Sequence, residues 1–383
     1  MQLDWDVIIL GAGIAGVSAA KAIREATFDG AVLLINGEAH APYKRTKLSK
    51  HLASGFRQDE FQLQPPEWYQ TRRIHRLDDQ RVDKINPAAK TVTLASGTCL
   101  RWGKLILATG ATPCYPPGIS PEMPHTYVMR QMHDAECLMQ MMRNPNIQNT
   151  LVVGMGVLGV EVAEQFRFAE KRVTLAGRSS TIMPRQLNLH AATLMKQACE
   201  QAGIRLLFDD PLTDARRHET RQADAIIYCI GATPDTTLAR QAGLAVNVGI
   251  LVNEYLQTSC PDIFAAGDVA ELPGGEIGGL WHSAEAQGLH AGKNAVGSLT
   301  SYPRLPFRLK CEVFEQYFFS MLPQDIERCQ IEEYQHDRRY QCFYYRDGQL
   351  RGAIMINDGE RAKLYERAVR ENWTPKRVME TLA

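Results

Sequence analysis

Two glycine-rich segments, Gly11–Gly16 and Gly154–Gly159, constrain the fold of this 383-residue chain more than any other feature. Each has the pattern GxGxxG and follows an apolar run, Val7–Leu10 or Leu151–Val153, that predicts a buried parallel strand. Each also precedes a run that predicts a helix. A strand, a glycine-rich turn and a helix in this order form the phosphate-binding unit of dinucleotide-binding folds. Because the unit occurs twice with correct flanks, the sequence predicts two dinucleotides side by side and electron transfer between them.

Each glycine of such a unit has its own physical task. The first makes the tight turn, the second lets the backbone approach a diphosphate, and the third lets helix and strand pack closely. The helix N-terminus then presents unpaired N–H groups and the positive end of its dipole to the phosphates. The candidate binding residues are Gly11, Gly13, Ala15 and Gly16 in the first segment and Gly154, Gly156, Leu158 and Gly159 in the second.

The charge composition argues against polyanionic partners. Lysine plus arginine equals aspartate plus glutamate at 43 each, so no net charge favours nucleic acid or an anionic membrane surface. No apolar run reaches the length of about 18 residues that a membrane span requires. The first residues do not have the form of a signal peptide. We therefore expect a cytoplasmic protein without a nucleic-acid partner and without a membrane span; nothing in the sequence indicates its oligomeric state.

The nine cysteines are scattered and odd in number, and none of them are spaced as CxxC. This pattern predicts reduced thiols rather than a disulfide framework. The ten histidines are equally dispersed. The sequence thus contains no local motif for zinc or an iron–sulfur cluster, and no metal site is predicted.

An internal repeat indicates how the chain is organised. Gly110–Pro113 and Gly231–Pro234 both read Gly-Ala-Thr-Pro, and a proline-rich stretch that follows the first copy is a candidate hinge. The later apolar run Asp262–Ala266 predicts a return to the first sheet. We predict an α/β protein with two Rossmann-like dinucleotide-binding domains, the second inserted into the first, and a small α+β C-terminal domain. The predicted boundaries are 1–114 and 236–300 for the first domain, 115–235 for the second and 301–383 for the third.

The C-terminal residues have a different texture. Asp347-Gly348 separates two strand-like runs, Tyr340–Tyr345 and Arg351–Ile356, which predicts a β-hairpin. A helical pattern follows from about Glu360 to Glu371. These elements predict the small third domain.

Taken together, these motifs resemble the FAD-dependent pyridine nucleotide oxidoreductases. The resemblance covers about residues 1–300 and includes both glycine-rich segments, both Gly-Ala-Thr-Pro strands and Gly267-Asp268. Within that family the chain is most similar to rubredoxin and flavorubredoxin reductases, to ferredoxin reductases of oxygenase systems and to the flavin module of NAD(P)H nitrite reductases. The resemblance implies that FAD binds at the first segment and NAD(P)H at the second.

The resemblance also implies particular FAD contacts near the first segment. Glu38 lies about twenty residues beyond the glycines, where an acidic residue binds the ribose, unless it is only a solvated loop acid. The run Pro42–Lys50 is similar to the family's PYxRxxLSK stretch. In that stretch Arg45 would neutralise the diphosphate and Lys50 would lie near the flavin ring; the alternative is a basic helix start.

Later segments supply the rest of the implied FAD site. Asp268 resembles the family's contact to the ribityl chain, made by a carboxylate that accepts a hydroxyl hydrogen bond. Trp281, followed by Ala286-Gln287-Gly288, resembles the family's WxxAxxQG stretch against the isoalloxazine, although a tryptophan here can equally be a core residue. The remaining candidate contacts are Ala108, Thr109, Gly110, Gly231 and Gly267.

Glu161 extends the second segment to GxGxxGxE. By resemblance it approaches the flavin and pairs with Lys50, and these two are the candidate catalytic residues; a plain helix-face carboxylate is the alternative. Disulfide reductases of the wider superfamily carry redox cysteines near the Lys50 stretch, but here the first cysteine is Cys99. We therefore expect electrons to leave the flavin without passing through a protein thiol.

The sequence departs from an NADH pattern after the second strand of the inserted unit. An NAD-specific domain carries an acid there for the ribose 2′-hydroxyl, whereas this chain reads Gly177-Arg178-Ser179-Ser180. An arginine with two hydroxyls and no acid suits a 2′-phosphate. We therefore expect tolerance of NADPH or preference for it, through Arg178, with Arg185 as a second candidate.

The resemblance implies a flavoprotein reductase that passes hydride from NAD(P)H to FAD and electrons to a small carrier of the rubredoxin, flavorubredoxin or ferredoxin type. Two other functions stay open. One is an NAD(P)H oxidase or a reductase of quinones or other small molecules. The other is a redox-sensing interaction flavoprotein that resembles apoptosis-inducing factor.

Overall fold

The computed structural model describes residues 3–209, 222–297 and 299–382. The strands, in chain order, are β1 (Asp4–Leu10), β2 (Val32–Ile35), β3 (Ile74–Leu77), β4 (Val82–Asn86), β5 (Thr91–Leu94), β6 (Cys99–Leu107), β7 (Ala111–Pro113), β8 (Thr126–Val128), β9 (Asn149–Val153), β10 (Arg172–Ala176), β11 (Arg205–Leu207), β12 (Ala225–Tyr228), β13 (Ala232–Pro234), β14 (Ile250–Leu251), β15 (Ile263–Ala265), β16 (Ala270–Glu271), β17 (Leu309–Val313), β18 (Gln316–Met321), β19 (Gln330–His336), β20 (Arg339–Arg346) and β21 (Gln349–Ile356). The α-helices are α1 (Ile14–Glu25), α2 (Gln58–Phe61), α3 (Pro66–Thr71), α4 (Met132–Arg143), α5 (Val157–Phe168), α6 (Leu189–Gln201), α7 (Thr237–Gln241), α8 (Trp281–Val296), α9 (Ala362–Arg370) and α10 (Pro375–Leu382).

The first sheet is built around the first glycine-rich segment. Strand β1 pairs in parallel with β2 and with β6, and β15 joins the free side of β6. Strands β4 and β5 extend the sheet by antiparallel pairing. Val7, Ile8 and Ile9 have no exposed surface, because a parallel sheet covered on both faces buries consecutive residues rather than alternate ones. Residues on both sides of the second unit therefore share one sheet.

The second sheet repeats this plan around the second glycine-rich segment. Its five strands run in the order β11-β10-β9-β12-β8, and every pairing is parallel. The segment connects β9 to α5, as the first one connects β1 to α1. The two sheets confirm the predicted α/β class with Rossmann-like units, while the exact domain boundaries stay predictions.

The two Gly-Ala-Thr-Pro repeats pair with each other. Strand β7 and strand β13 form a two-stranded antiparallel sheet in which Thr112 lies opposite Thr233. The two connections between the units therefore run side by side and are hydrogen-bonded.

The C-terminal residues form an antiparallel sheet in the order β17-β18-β21-β20-β19. Asp347 and Gly348 both adopt left-handed backbone angles and join β20 to β21, as the hairpin signal predicts. Helix α9 packs on the sheet through Tyr365, which is stacked on Phe343. In the described ranges no helix is long and apolar enough to cross a membrane.

Close backbone contacts fix the turn at the start of each glycine-rich segment. Gly11 has φ +106°, and a Cβ added to it would lie 2.2 Å from the carbonyl oxygen of Ala108. Gly154 has φ +126°, and a Cβ added there would lie 2.3 Å from the carbonyl oxygen of Cys229. Both positions therefore exclude a side chain by conformation and by space.

The third glycine of each segment lets the helix reach its strand. A Cβ on Gly16 would lie 1.8 Å from the carbonyl oxygen of Gly11, and a Cβ on Gly159 would lie equally close, at 1.8 Å, to that of Gly154. The middle glycine is different, because a Cβ on Gly13 has no protein atom within 4 Å. The first and third glycines are thus needed by the fold itself, whereas the middle glycine is not.

This difference predicts that two alanine substitutions lower the free energy of unfolding by different amounts. Gly16→Ala forces α1 away from β1, and we expect it to lower the free energy of unfolding by about 3 kcal/mol, as overpacking of a close contact does. Gly13→Ala meets no atom, and as an N-cap change it should cost about 1 kcal/mol or less. Denaturant unfolding of the two variants beside the wild type measures both values. Equal destabilisation would contradict the assignment of the packing contact to Gly16.

Candidate active site

Both glycine-rich segments open into one cavity of about 2010 Å³. Pockets for a single small ligand commonly enclose about 300–1,000 Å³, so this volume suits two large ligands. All the predicted site residues line the cavity except Gly16 and Gly159. Those two lie behind the turns and act through the packing described above. The structure therefore brings both halves of the predicted site together.

The helix N-termini that face the cavity fit diphosphate groups. Gly13 and Gly156 are the N-cap residues of α1 and α5, and neither helix has a side chain that caps it or an acidic residue in its first turn. A Cβ added to Gly13 or Gly156 would enter open space. Helix N–H groups are thus available to an anion, and only glycine leaves room for its close approach. The residues present fit two dinucleotides.

Glu38 lies in the cavity within a compact polar group. Its carboxylate accepts hydrogen bonds from the Tyr43 hydroxyl at 2.6 Å and from the Arg45 guanidinium at 2.7 Å. The Tyr43 oxygen in turn accepts from the backbone N–H of Met132 at 3.0 Å. Each carboxylate oxygen keeps a further lone pair for a ribose hydroxyl. Arg45, predicted at the diphosphate, is therefore held by the predicted ribose acid.

Arg130 completes this group, and the sequence analysis did not identify it. Its guanidinium forms an ion pair with Asp268 at 2.8 Å, and its carbonyl oxygen accepts a hydrogen bond from Arg45 at 2.9 Å. Arg130 precedes α4, whereas Arg45 and Asp268 belong to segments near the first sheet. No local motif surrounds Arg130, so only the folded chain reveals its place.

A buried glutamine holds the Gly267 turn. Gly267 has φ +82°, and its N–H donates to Gln287 Oε1 at 2.8 Å. Gln287 has no exposed surface and lies on α8, which begins at Trp281. This contact orients Asp268 toward the cavity. The stretch from Trp281 to Gly288 therefore supports the site partly through its amide side chain.

Lys50 and Glu161 meet between the two glycine-rich segments. The Lys50 ammonium lies 3.6 Å from Glu161 Oε1, and the Ser49 hydroxyl donates to Glu161 Oε2 at 2.5 Å. Burial raises the pKa of Glu161 above its ordinary value, although Lys50 and Ser49 both oppose this shift. Ser49, which the sequence analysis passed over beside Lys50, thus makes the shorter contact with the carboxylate.

One cysteine approaches this pair from the C-terminal sheet. Cys311 Sγ on β17 lies 4.0 Å from Glu161 Oε1, and all nine cysteines are free thiols. Burial raises the pKa of the Cys311 thiol, and the Glu161 carboxylate raises it further. A thiol in such surroundings is a poor nucleophile. Among the described residues, no group of three or more histidine, cysteine or acidic side chains is placed to hold a metal ion.

The residues that the sequence analysis assigns to nucleotide choice follow β10. Arg178, Ser179 and Arg185 all line the cavity. A Cβ added to Gly177 would lie 2.6 Å from Met155 Cγ, so a side chain there has to displace Met155. The position after β10 therefore disfavours an acid and places a guanidinium next to it.

Comparisons with known proteins identify relatives of this chain. The family model of pyridine nucleotide-disulphide oxidoreductases matches residues 5–288. The ferredoxin–NAD(+) reductase component of the biphenyl dioxygenase system of Paraburkholderia xenovorans is 31% identical over 281 residues, which are 70% of this chain and 68% of that protein. The NADH–rubredoxin oxidoreductase of Clostridium acetobutylicum is 28% identical over 300 residues, 78% of this chain and 76% of that protein.

Solved structures show the same fold. The crystal structure of NADH:rubredoxin oxidoreductase from Clostridium acetobutylicum superposes with a TM-score of 0.81 at 24% identity, over 99% of this chain and 100% of that one. An engineered water-forming NADPH oxidase from Lactobacillus brevis, bound to NADPH, superposes with a TM-score of 0.83 at 19% identity, over 99% of this chain and 93% of that one.

The burial of Glu161 predicts a pH-dependent stability difference. In the unfolded chain Glu161 has the ordinary pKa of 4.5, whereas in the folded protein its pKa is raised. The stability of the wild type therefore falls as pH rises above 4.5, because the folded protein binds this proton more tightly than the unfolded chain does. Glu161→Gln removes this loss and keeps an acceptor for Ser49. We expect the melting temperature of the variant, relative to wild type, to be higher by about 2 °C at pH 8 than at pH 5.

The exposed Glu285→Gln serves as the matched control, and its difference from wild type should not change with pH. A constant difference for Glu161→Gln would show that Lys50 fully compensates the burial of the carboxylate.

Proposed function

The chain belongs to the pyridine nucleotide-disulphide oxidoreductase family, and on that premise we propose that it is a flavoprotein reductase that delivers electrons from NAD(P)H to a small redox protein. The enzyme class and the use of FAD and NAD(P)H follow from the family. The acceptor class rests on relatives named as ferredoxin and rubredoxin reductases.

The observation that carries the proposal is the shared cavity. Gly13 and Gly156 both line this cavity, and so do the paired residues Lys50 and Glu161. A reductase that transfers hydride needs its two dinucleotides in direct contact, with their reacting rings aligned. One cavity with two phosphate-binding ends suits this requirement, whereas two separate pockets would not.

FAD, when bound, supplies hydride acceptance from the nicotinamide and release of single electrons to the acceptor. We assign to Arg45, Arg130 and Asp268 the binding of the first dinucleotide, and to Glu38 its ribose. Lys50 supplies a positive charge where negative charge develops on reduction. Glu161 holds the Lys50 ammonium in place, and Ser49 fixes the orientation of Glu161.

The proposed site of the second nucleotide is chemically compatible with NADPH. Gly177, Arg178 and Ser179 offer a guanidinium and a hydroxyl without an acid, which suits a 2′-phosphate. The engineered NADPH oxidase of Lactobacillus brevis carries alanine, arginine and serine in place of a consecutive aspartate, alanine and methionine. The same order of small residue, arginine and serine occurs here, although the relatives above are named for NAD(+) or NADH.

The rim of the cavity near Trp281 is positively charged. Arg308 and Lys310 line it and share the carboxylate of Glu366 with Arg370, at N–O distances from 2.6 to 3.4 Å. Three cations around one carboxylate leave an excess of positive charge beside Trp281. Such a surface favours an acidic carrier and accelerates its association.

The acceptor assay tests this function directly. With purified yellow protein we expect NADPH oxidation to be at least about tenfold faster with ferredoxin or rubredoxin than with oxygen alone, because the carrier rather than oxygen takes the electrons. Stopped-flow absorbance at the flavin band and carrier reduction measure the two half-reactions. Gly13→Val, whose side chain fills the first cradle, is the control that lacks FAD.

Two results would contradict the proposal. An oxygen or quinone rate that matches the carrier-stimulated rate indicates an oxidase or small-molecule reductase. Very slow flavin reduction with a long-lived flavin–nicotinamide charge-transfer band indicates a redox-sensing protein.

The nucleotide assignment has its own test. Arg178→Ala removes the guanidinium proposed for the 2′-phosphate, so the KM for NADPH should rise about tenfold while that for NADH changes less than about twofold. Steady-state kinetics with both nucleotides measure the split. Arg143→Ala, an exposed arginine of α4 outside the cavity, is the matched control. Equal increases for NADH and NADPH would remove the specificity argument.

A further inference from the structure

Helix α5 presents three buried polar side chains, which contact the segment around Lys50 and the C-terminal sheet. Glu161, Glu164 and Gln165 are only 6%, 8% and 4% exposed. Gln165 Oε1 accepts a hydrogen bond from the backbone N–H of Ala53 at 3.1 Å, next to the Lys50 stretch. Glu164 accepts one from the backbone N–H of Phe314, in the C-terminal sheet. Helix α5, which begins at the second glycine-rich segment, therefore connects the C-terminal sheet to the candidate catalytic pair Lys50 and Glu161.

The turn that Glu164 contacts is strained. Phe314 and Glu315 connect β17 to β18, and they have φ of +51° and +57°. Two-residue hairpin turns of this kind strongly prefer asparagine and glycine, because a side chain crowds the left-handed region. Phenylalanine and glutamate here need an external contact that holds them. The side-chain oxygen of Glu164 supplies this contact by accepting the hydrogen bond from the Phe314 N–H.

Strand β17 and helix α5 meet at two matched positions. Cys311 lies against Glu161, and three residues further along each element Phe314 lies against Glu164. Three residues are about one helical turn, so both acids lie on the face that meets β17. The other end of β17 contributes Leu309 and Lys310 to the cavity wall. The position of the turn thus sets how closely β17 covers Glu161.

We propose that Glu164 is a positioning residue of the reductase: it pins the strained β17–β18 turn to α5 and so keeps β17 closed over the Lys50–Glu161 pair. The proposal rests on the proposed function for its kinetic consequence, because only then does the pair act on the reaction. Its structural consequence, the protection of Cys311, is independent of that function.

Two single variants of the FAD-loaded protein test the proposal. Glu164→Ala should increase the labelling rate of Cys311 by an uncharged maleimide about tenfold, because β17 opens locally. The limiting rate of flavin reduction by NADPH should fall about tenfold with KM changed less than about twofold. Glu164→Gln keeps the acceptor for Phe314 and should restore both values to within about twofold of wild type.

A second-site variant separates positioning from general loosening. Glu315 is exposed, and Glu315→Gly relieves the turn strain without Glu164, so Glu164→Ala/Glu315→Gly should recover most of the Cys311 protection. Peptide mass spectrometry reads Cys311 and the exposed Cys99, whose labelling should be the same in every variant.

The proposal is overturned if Glu164→Ala leaves Cys311 protected, or if the glycine variant fails to restore protection. Wild-type protein that neither binds FAD nor oxidises either nucleotide refutes the proposed function instead, and the labelling comparison still decides the role of Glu164.

Discussion

The close contact between the third and the first glycine of each glycine-rich segment is the constraint on which the rest of the structure depends. Gly16 and Gly159 bring their helices so close to the preceding turn that even one methyl group would overlap a carbonyl oxygen. This approach places the uncapped N-termini of α1 and α5 at the cavity. The proposed phosphate binding at both helix ends thus depends on two positions, Gly16 and Gly159, that line no part of the cavity.

The same approach places Glu161, one member of the candidate catalytic pair, on α5. Because α5 starts directly after Gly156 of the second glycine-rich segment, Glu161 lies about one turn inside the helix. From there it contacts Lys50. A carboxylate at that place must be buried, since the C-terminal sheet packs over it through Cys311. Its raised pKa is therefore a consequence of how three parts of the chain meet, and the Lys50 ammonium offsets part of that cost.

Local patterns predict local elements well and distant contacts poorly. The strand that ends at Val153 and the Asp347-Gly348 hairpin follow directly from an apolar run and from turn chemistry. Strand β3 was not predicted, because only one of its four residues is buried and its sequence lies in a polar stretch. The residues Ser49, Arg130 and Glu164 were missed for another reason. Their partners are 112, 138 and 150 positions away, and no periodicity records such a separation.

The residues proposed to select the nucleotide are separate from those proposed to meet the electron acceptor. Arg178 and Ser179 follow β10 at the second cradle, whereas Arg308 and Lys310 reach the cavity from the C-terminal sheet near Trp281. These groups share no hydrogen bond or ion pair among the described residues. Substitutions at sites without common partners combine additively. On the proposed roles, an acid can therefore replace Arg178 without altering the surface proposed for the electron acceptor. The relatives named for NAD(+) or NADH do not conflict with the proposed use of NADPH.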